Sequence, residues 1–283
     1  MNLISFVLFI RQVFGFRQLW SPFKKPFSTM LYDRIVVYRK AIRWLKRKSL
    51  QGTIVDIGCG YSILPGFLAS IGYTVSVFDV DKNAIKWQNS LAEKYSLTLK
   101  GEVISGETLP CEDRSIDFFF SISALEHSPH DALIMAEAGR ILKPNGAAYI
   151  EVPFSPFDKG MIDLSIEASK KNTPFEKIQP NFPGEIFRYY SLPVIQSNLL
   201  SPSGFKIQQS YLFPYFFGSC AIDIMPPKFD HFNGFPLLFA YFLTVLVDAL
   251  DQLFRISSRT IPYSTKPKKF KVPGHILFEL QRQ

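Results

Sequence analysis

The sequence predicts an α/β fold: a doubly wound, largely parallel sheet with helices on both faces. Three observations predict it. Between residues 52 and 153, strand-like apolar runs alternate with segments of helical period. The run Ile116–Ile122 is apolar at most positions, as expected of a strand covered on both faces. The first run, Thr53–Ile57, opens directly into Gly58-Cys59-Gly60, a glycine turn between a strand and a helix.

The elements follow in order. A basic helix over Ile35–Lys48 precedes the first strand, Thr53–Ile57. Leu64–Ile71 is helical and stops at Gly72, and Tyr73–Phe78 alternates β-branched and aromatic residues as a second strand. Asn83–Lys94 is a helix, Leu97–Ile104 a strand, and Ile116–Ile122 the central apolar strand. Asp131–Leu142 is a helix closed by Lys143-Pro144-Asn145-Gly146, a helix stop and turn, before the strand Ala147–Val152. The alternation then lapses. Residues 154–190 contain Pro156, Pro174, Pro180 and Pro183 and read as a lid or long connection. Leu192–Leu200 reads as a helix, and Phe205–Phe213 and His275–Gln281 as strands.

Composition removes several classes. The chain has 283 residues, 47% of them hydrophobic and 20% charged, so it is not a disordered chain. Three cysteines with no C-x-x-C pair exclude a disulfide scaffold and a thiolate zinc site, and suit a reducing compartment. The net charge of +8 is uneven: residues 1–50 carry eleven Lys/Arg and one acid, while the middle of the chain is acidic. That pattern makes a nucleic-acid partner unlikely and suits a body whose ends rest on an anionic surface. The leading run Leu3–Ile10 is followed, not preceded, by its charge, the reverse of a secretory signal. A second uncharged run, Phe235–Val247, is 13 residues long, short of the roughly 20 needed to span a bilayer. It reads either as a buried helix or as one lying in a membrane interface. The expectation is a cytoplasmic protein with peripheral contact on the cytoplasmic membrane face.

The glycine loop indicates a ligand. Gly58 and Gly60 let the backbone turn tightly and approach a bound molecule closely, and the helix that follows offers N–H groups to a carboxylate or phosphate. A dinucleotide fingerprint would need a third glycine where Ile63 stands, which argues against NAD or FAD. Asp79 lies nineteen residues beyond Gly60 at the end of the second strand, where a carboxylate accepts the ribose hydroxyls of a nucleoside.

Taken in order, Asp56-Ile57-Gly58-Cys59-Gly60, Asp79, Leu109-Pro110, Ser115-Ile116-Asp117, Ala124-Leu125-Glu126-His127 and Arg140-Ile141-Leu142-Lys143-Pro144-Asn145-Gly146 resemble the class I S-adenosylmethionine-dependent methyltransferases of the methyltransferase-11 type. The resemblance covers residues 50–153. It implies a Rossmann-like sheet of seven strands with the last strand antiparallel between the fifth and sixth, which makes 214–270 a Phe-rich helical insertion. It also implies S-adenosylmethionine as cofactor, met by Asp56, Gly58, Cys59, Gly60, Asp79 and Ser121. Where the family usually has an acid facing adenine, this chain has Ser105, with Glu107 two residues on, so that contact falls to Ser105, Glu107 or backbone groups. The chain then divides into a basic N-terminal segment over 1–50, the cofactor core over 51–153, a lid and substrate segment with the sixth strand over 154–213, and the insertion with the last strand over 214–283.

The candidate chemistry sits after the fourth strand. His127 is a candidate general base for an acceptor hydroxyl, set against packing or capping of the next helix. Glu126 is a candidate to bind the cofactor environment, to bind a metal with His127, or simply to begin the helix. Metal binding by Glu126, His127 and His130 lacks the i, i+4 helical spacing that aims two ligands at one ion, so no metal is expected. Arg188, with Tyr189, is a candidate substrate contact, either holding an anionic group or fastening the lid to the body. The expected acceptor is a small molecule, a glycan or a lipid-linked sugar. A non-catalytic scaffold of the same fold and an RNA methyltransferase stay open as alternatives. The second is disfavoured because Ser123-Ala124-Leu125-Glu126 stands where base-methylating enzymes carry an Asn/Asp-Pro-Pro-aromatic tetrad.

Overall fold

A computed structural model describes residues 27–49, 51–104, 107–154, 162–163, 188–214 and 274–283. One sheet is built from β1 (Thr53–Ile57), β2 (Thr74–Asp79), β3 (Leu99–Val103), β4 (Ile116–Ile122), β5 (Leu142–Phe154), β6 (Phe205–Pro214) and β7 (Gly274–Arg282). The spatial order is β3-β2-β1-β4-β5-β7-β6. Strands β1 to β5 pair in parallel, and β7 runs antiparallel to both β5 and β6. This is the seven-stranded arrangement the resemblance implied. The strand order reverses between β1 and β4, and the carboxyl ends of strands at such a switch point form a crevice that takes ligands.

Among the described residues, the helices of more than one turn that accompany the sheet are α1 (Phe27–Lys48), α2 (Leu64–Ser70), α3 (Lys82–Tyr95) and α4 (Asp131–Ile141). Several boundaries have a local cause. Pro65 stands in the first turn of α2, where its missing N–H costs nothing. Asp81 caps α3 by accepting from Asn83 N at 2.8 Å, and Ser96 ends it in the left-handed region. The basic last turn of α1, Lys46 to Lys48, suits the negative end of the helix dipole. The expected helix over Leu192–Leu200 divides into a turn of α-helix, Leu192–Val194, and a π-helical turn, Ile195–Leu200.

Two segments differ from expectation. Helix α1 begins at Phe27 rather than Ile35. Strand β5 starts at Leu142, because Lys143-Pro144-Asn145-Gly146 is a bulge inside it rather than a turn before it. Ile116 pairs with Leu142 and Phe118 next pairs with Ala147, with Asn145 in the left-handed region at φ 67°.

The two faces of the sheet carry separate cores. Ile54, Val75, Val77, Phe118, Phe120 and Tyr149 pack under α1, α2 and α3. Val55, Ile57, Phe119, Ile150 and Phe278 pack under α4 and the 195–200 turn. The alternation of Phe118, Phe119 and Phe120 between faces is the period of two that a strand imposes. Trp44 of α1 is fully buried, with its ring 5.3–5.7 Å from those of Phe118, Phe120 and Tyr149. Burying such a ring stabilises by about 1.5–3 kcal/mol. Arg47 of α1 bonds Glu279 of β7 at 2.8 and 3.0 Å, and Tyr149 Oη donates to Val37 O at 3.0 Å, which fixes α1 across the sheet. Gly139 lets α4 approach the 201–204 turn, since a Cβ there would lie 2.5 Å from Ser203 O.

Pro214 pairs with Gly274, so the strand ends that bracket residues 215–273 are neighbours. The Phe-rich helix and the leading run Leu3–Ile10 lie outside the described residues. Among the described residues, no helix is long and apolar enough to cross a membrane.

Candidate cofactor and acceptor site

The site is assembled at the carboxyl ends of β1, β2 and β4. After Ile57 the chain turns through Gly58 (φ 68°) and Gly60 (φ 47°), both in the left-handed region that favours glycine. The two glycines serve different needs. A Cβ on Gly58 would lie 2.2 Å from Ala124 Cβ, so the close neighbour at that position is the turn after β4. A Cβ on Gly60 would meet nothing within 4 Å, so only its backbone angle asks for glycine.

Asp79 joins the loop as its spacing suggested. Its Oδ2 accepts from Gly60 N at 2.7 Å, and its Oδ1 accepts from Asp81 N at 2.9 Å. Each carboxylate oxygen keeps a further lone pair, and the residue is half-buried at the rim. Asp56 is buried at the end of β1, in register with Val77 and Phe120. Cys59 is buried in the α1–α3 core. Burial, then the charges of Asp56 and Asp79, push its thiol far above the ordinary range, so it packs as an inert side chain.

Sequence reasoning missed the residues that hold this loop from behind. Gln88 of α3 is fully buried and donates from Nε2 to Gly60 O at 3.1 Å and Ser62 O at 2.9 Å. Tyr38 of α1 shares a 2.8 Å hydrogen bond with the Ser62 hydroxyl. One signal was available: Gln88 falls on the buried stripe of α3 with Ala84, Ile85, Leu91 and Ala92, where an apolar residue is the rule.

The other wall comes from β4 and the turn after it. Ser121 is fully buried, in register with Ile57 and Ile150, and its Oγ has no hydrogen-bond partner among the described residues. Ser123 stands at φ 48°, pinned to β5 by Ser123 N to Glu151 O at 3.1 Å and Ser123 Oγ to Glu151 Oε2 at 2.5 Å. A 3-10 turn, Leu125–His127, then places Glu126 inside, 1% exposed, and leaves the His127 side chain 26% exposed. His127 Nε2 lies 4.0 Å from Glu126 Oε1. Glu151, 2% exposed, was also missed, because its nearness to Ser123 depends on the bulged register of β4 and β5.

The remaining candidates are more dispersed. Glu107 stands opposite the β4 turn, its Oε1 3.5 Å from His130 Nε2. Ser105 lies outside the described residues. Arg188 is buried; its Nη1 donates to Ser128 O and lies 3.3 Å from Asp131 Oδ2, which also accepts from Tyr190 Oη at 2.8 Å. These contacts fasten residues 188–190 to the turn beyond His127. The backbone of Tyr189 pairs with Ile162 in a two-residue ladder. Burial, then the charge of Asp131, pushes the Tyr190 hydroxyl well above its usual range, so it remains a donor. Among the described residues, no group of three His, Cys, Asp or Glu is arranged to hold a metal ion.

Residues 55–150 match the family model described as a methyltransferase domain, methyltransferase-11 type. The ubiquinone biosynthesis O-methyltransferase of Thiobacillus denitrificans is 31% identical over 113 residues, which are 37% of this chain and 47% of that protein. The chain spans about half the length of the curated relatives it matches. Among solved structures, the YcgJ protein of Bacillus subtilis aligns with a TM-score of 0.56 at 16% identity, covering 88% of this chain and 99% of that one. The [4+2]-cyclase SpnF aligns with a TM-score of 0.55 at 13% identity, covering 87% of this chain and 80% of that one. At these identities the structures share the fold alone, and the cyclase shows how far chemistry can diverge on it. The family match, the order of the sheet and the loop joined to Asp79 agree: residues 55–150 form a class I S-adenosylmethionine-dependent methyltransferase domain, with S-adenosylmethionine as its cofactor.

Proposed function

We propose that the protein transfers a methyl group from S-adenosylmethionine to a hydroxyl of a small-molecule acceptor of the glycan or lipid-linked class. The observation that carries this reading is the Gly58–Gly60 loop bonded to Asp79 beside the polar turn after β4, at the switch point of the sheet. The residues fit the cofactor. Open space faces Gly60, Asp79 has acceptor capacity for ribose hydroxyls, and Ser121 carries a buried hydroxyl without a partner among the described residues. Bound there, the cofactor supplies a methyl group already activated on a sulfonium. The protein's part is alignment, which is worth roughly 7–11 kcal/mol when two reactants are held in attacking geometry. His127, partly exposed on the turn after β4 and near the Glu126 carboxylate, is the group suited to accept the acceptor's proton. Oxygen as the acceptor atom is supported by the relatives named for O-methylation in ubiquinone biosynthesis.

Titration calorimetry with S-adenosylmethionine tests the reading first, and release of S-adenosylhomocysteine with lipid-linked and free sugar acceptors tests the acceptor class. Absence of cofactor binding leaves the scaffold alternative. The basic balance of residues 1–50, eleven Lys/Arg to one acid, supports an acceptor presented at an anionic membrane surface. Flotation with anionic liposomes at low salt tests that part, and a chain that stays behind refutes it.

A further inference from the structure

We propose that Gln88 is a positioning residue of the cofactor site, orienting the Gly60–Ile63 peptides toward the anionic end of the cofactor. The inference rests on the methyl-transfer reading above and adds a residue that no motif in the sequence marks. Gln88 reaches the loop from its buried side and takes two of its carbonyls, Gly60 O at 3.1 Å and Ser62 O at 2.9 Å. In a planar trans peptide, the C=O of one residue and the N–H of the next point in opposite directions. Drawing the Gly60 and Ser62 carbonyls inward therefore turns the N–H groups of Tyr61 and Ile63 outward, away from α3. The Gly60 N–H is already taken by Asp79. The loop thus turns two amides outward next to the carboxylate proposed for the ribose side, and amides of this kind attract anions. The only anionic group of S-adenosylmethionine is the carboxylate of its amino-acid end.

The placement of Gln88 supports a role beyond packing. It is fully buried on the apolar stripe of α3, and its Oε1 has no hydrogen-bond partner among the described residues. A leucine would fill the same space without burying an amide oxygen, but it would leave the Gly60 and Ser62 carbonyls without their donor. What glutamine adds there is the pair of bonds to the loop. Both hydrogens of the amide nitrogen are used, which also fixes which end of the amide faces the loop.

The test compares two ligands that differ at the amino-acid end: S-adenosylhomocysteine, which has the carboxylate, and 5′-methylthioadenosine, which lacks it. In Gln88→Leu the Kd for S-adenosylhomocysteine should rise at least tenfold, while that for methylthioadenosine moves less than twofold. Equal losses for both ligands, or no loss for either, would overturn the inference. Because the variant strands two carbonyls and could fail to fold, amide chemical shifts of the parent protein give a second readout. The Tyr61 and Ile63 amides should respond to S-adenosylhomocysteine and stay nearly still with methylthioadenosine; a like response to both overturns the proposal. If the parent binds neither ligand, the methyl-transfer reading itself falls, an outcome separate from failure of the Gln88 role alone.

Discussion

The two ends of the same strands differ. At the amino ends of β1, β4 and β5, charged groups meet opposite charges. Asp117 accepts from Thr53 N at 2.8 Å, Thr53 Oγ1 at 2.9 Å and Lys143 Nζ at 2.8 Å. Nearby, Arg140 of α4 bonds Glu137, Asp113 and the carbonyls of Leu109 and Cys111, which closes a β3–β4 connection with no helix of its own among the described residues. At the carboxyl ends the glycine loop is held differently: Gly58 and Gly60 have positive φ, and the side chains of Asp79 and Gln88 bond its peptide groups. The amino ends fix the frame, and the carboxyl ends shape a surface for a ligand. Substitutions at the two ends should separate accordingly, stability changing at one and binding or turnover at the other.

The sharpest way to break that division is Gly58→Ala. Its Cβ would clash with Ala124 and its φ is strained for any side chain. It should cost about 3 kcal/mol, by adding the overpacking and strain penalties. A carboxyl-end change would then lower the melting temperature, against the simple division. Ala124→Gly in the same chain removes the clash and leaves the strain, so it should restore part of the loss. Thermal melts of the single and double variants decide whether Gly58 serves the frame as well as the ligand.

Next in size is His127→Ala. If His127 takes the acceptor proton, turnover should fall about a hundredfold, the lower end of general-base contributions. Cofactor affinity and melting temperature should barely move, because the side chain is partly exposed. Unchanged turnover would assign His127 to the turn alone and leave alignment as the protein's whole contribution. Asp79→Ala should have the next smaller effect. It removes the partner of Gly60 N and the proposed acceptor for ribose, and should raise the S-adenosylmethionine Kd at least tenfold, about 1.4 kcal/mol. An unchanged Kd in a folded variant moves the cofactor away from this loop.

The division also explains how much of the molecule was readable in advance. The sheet and its helices were readable because period and punctuation are local. The loop and Asp79 were readable because β1 and β2 are adjacent parallel strands, so a spacing in sequence fixes a spacing in space. Several framing residues, Asp117, Arg140 and Lys143, stood in the resemblance motifs beside the candidate ligand residues, and sequence alone did not say which end of the sheet each served. Other contacts were hidden by register or distance. Ser123 meets Glu151 only through the bulge at 143–146, and Arg188 meets Asp131 across 57 positions. Gln88 was hidden for another reason: its stripe position looked like core, and only the carbonyls it meets show its use.

The smallest expected effect tests the framing end by itself. Burial alone would raise the Asp117 carboxyl, but hydrogen bonds from Lys143 and Thr53 outweigh it and hold the group below the usual carboxylate range. A carboxyl lowered on folding adds stability that is present above its unfolded pKa and lost as pH falls through the folded value. Lys143→Met should therefore destabilise the protein at neutral pH and progressively less as the pH drops below the usual carboxylate range. Asp117 and Lys143 are 31% and 43% exposed, so solvent screening limits the change to roughly 0.5–1 kcal/mol. Denaturant melts at neutral and acid pH measure the gap between parent and variant. Cofactor affinity should stay the same at neutral pH, since the pair sits at the amino ends of the strands. A variant with parental stability but weakened cofactor binding would show that the two ends are coupled through β4, and the division into frame and site would fail.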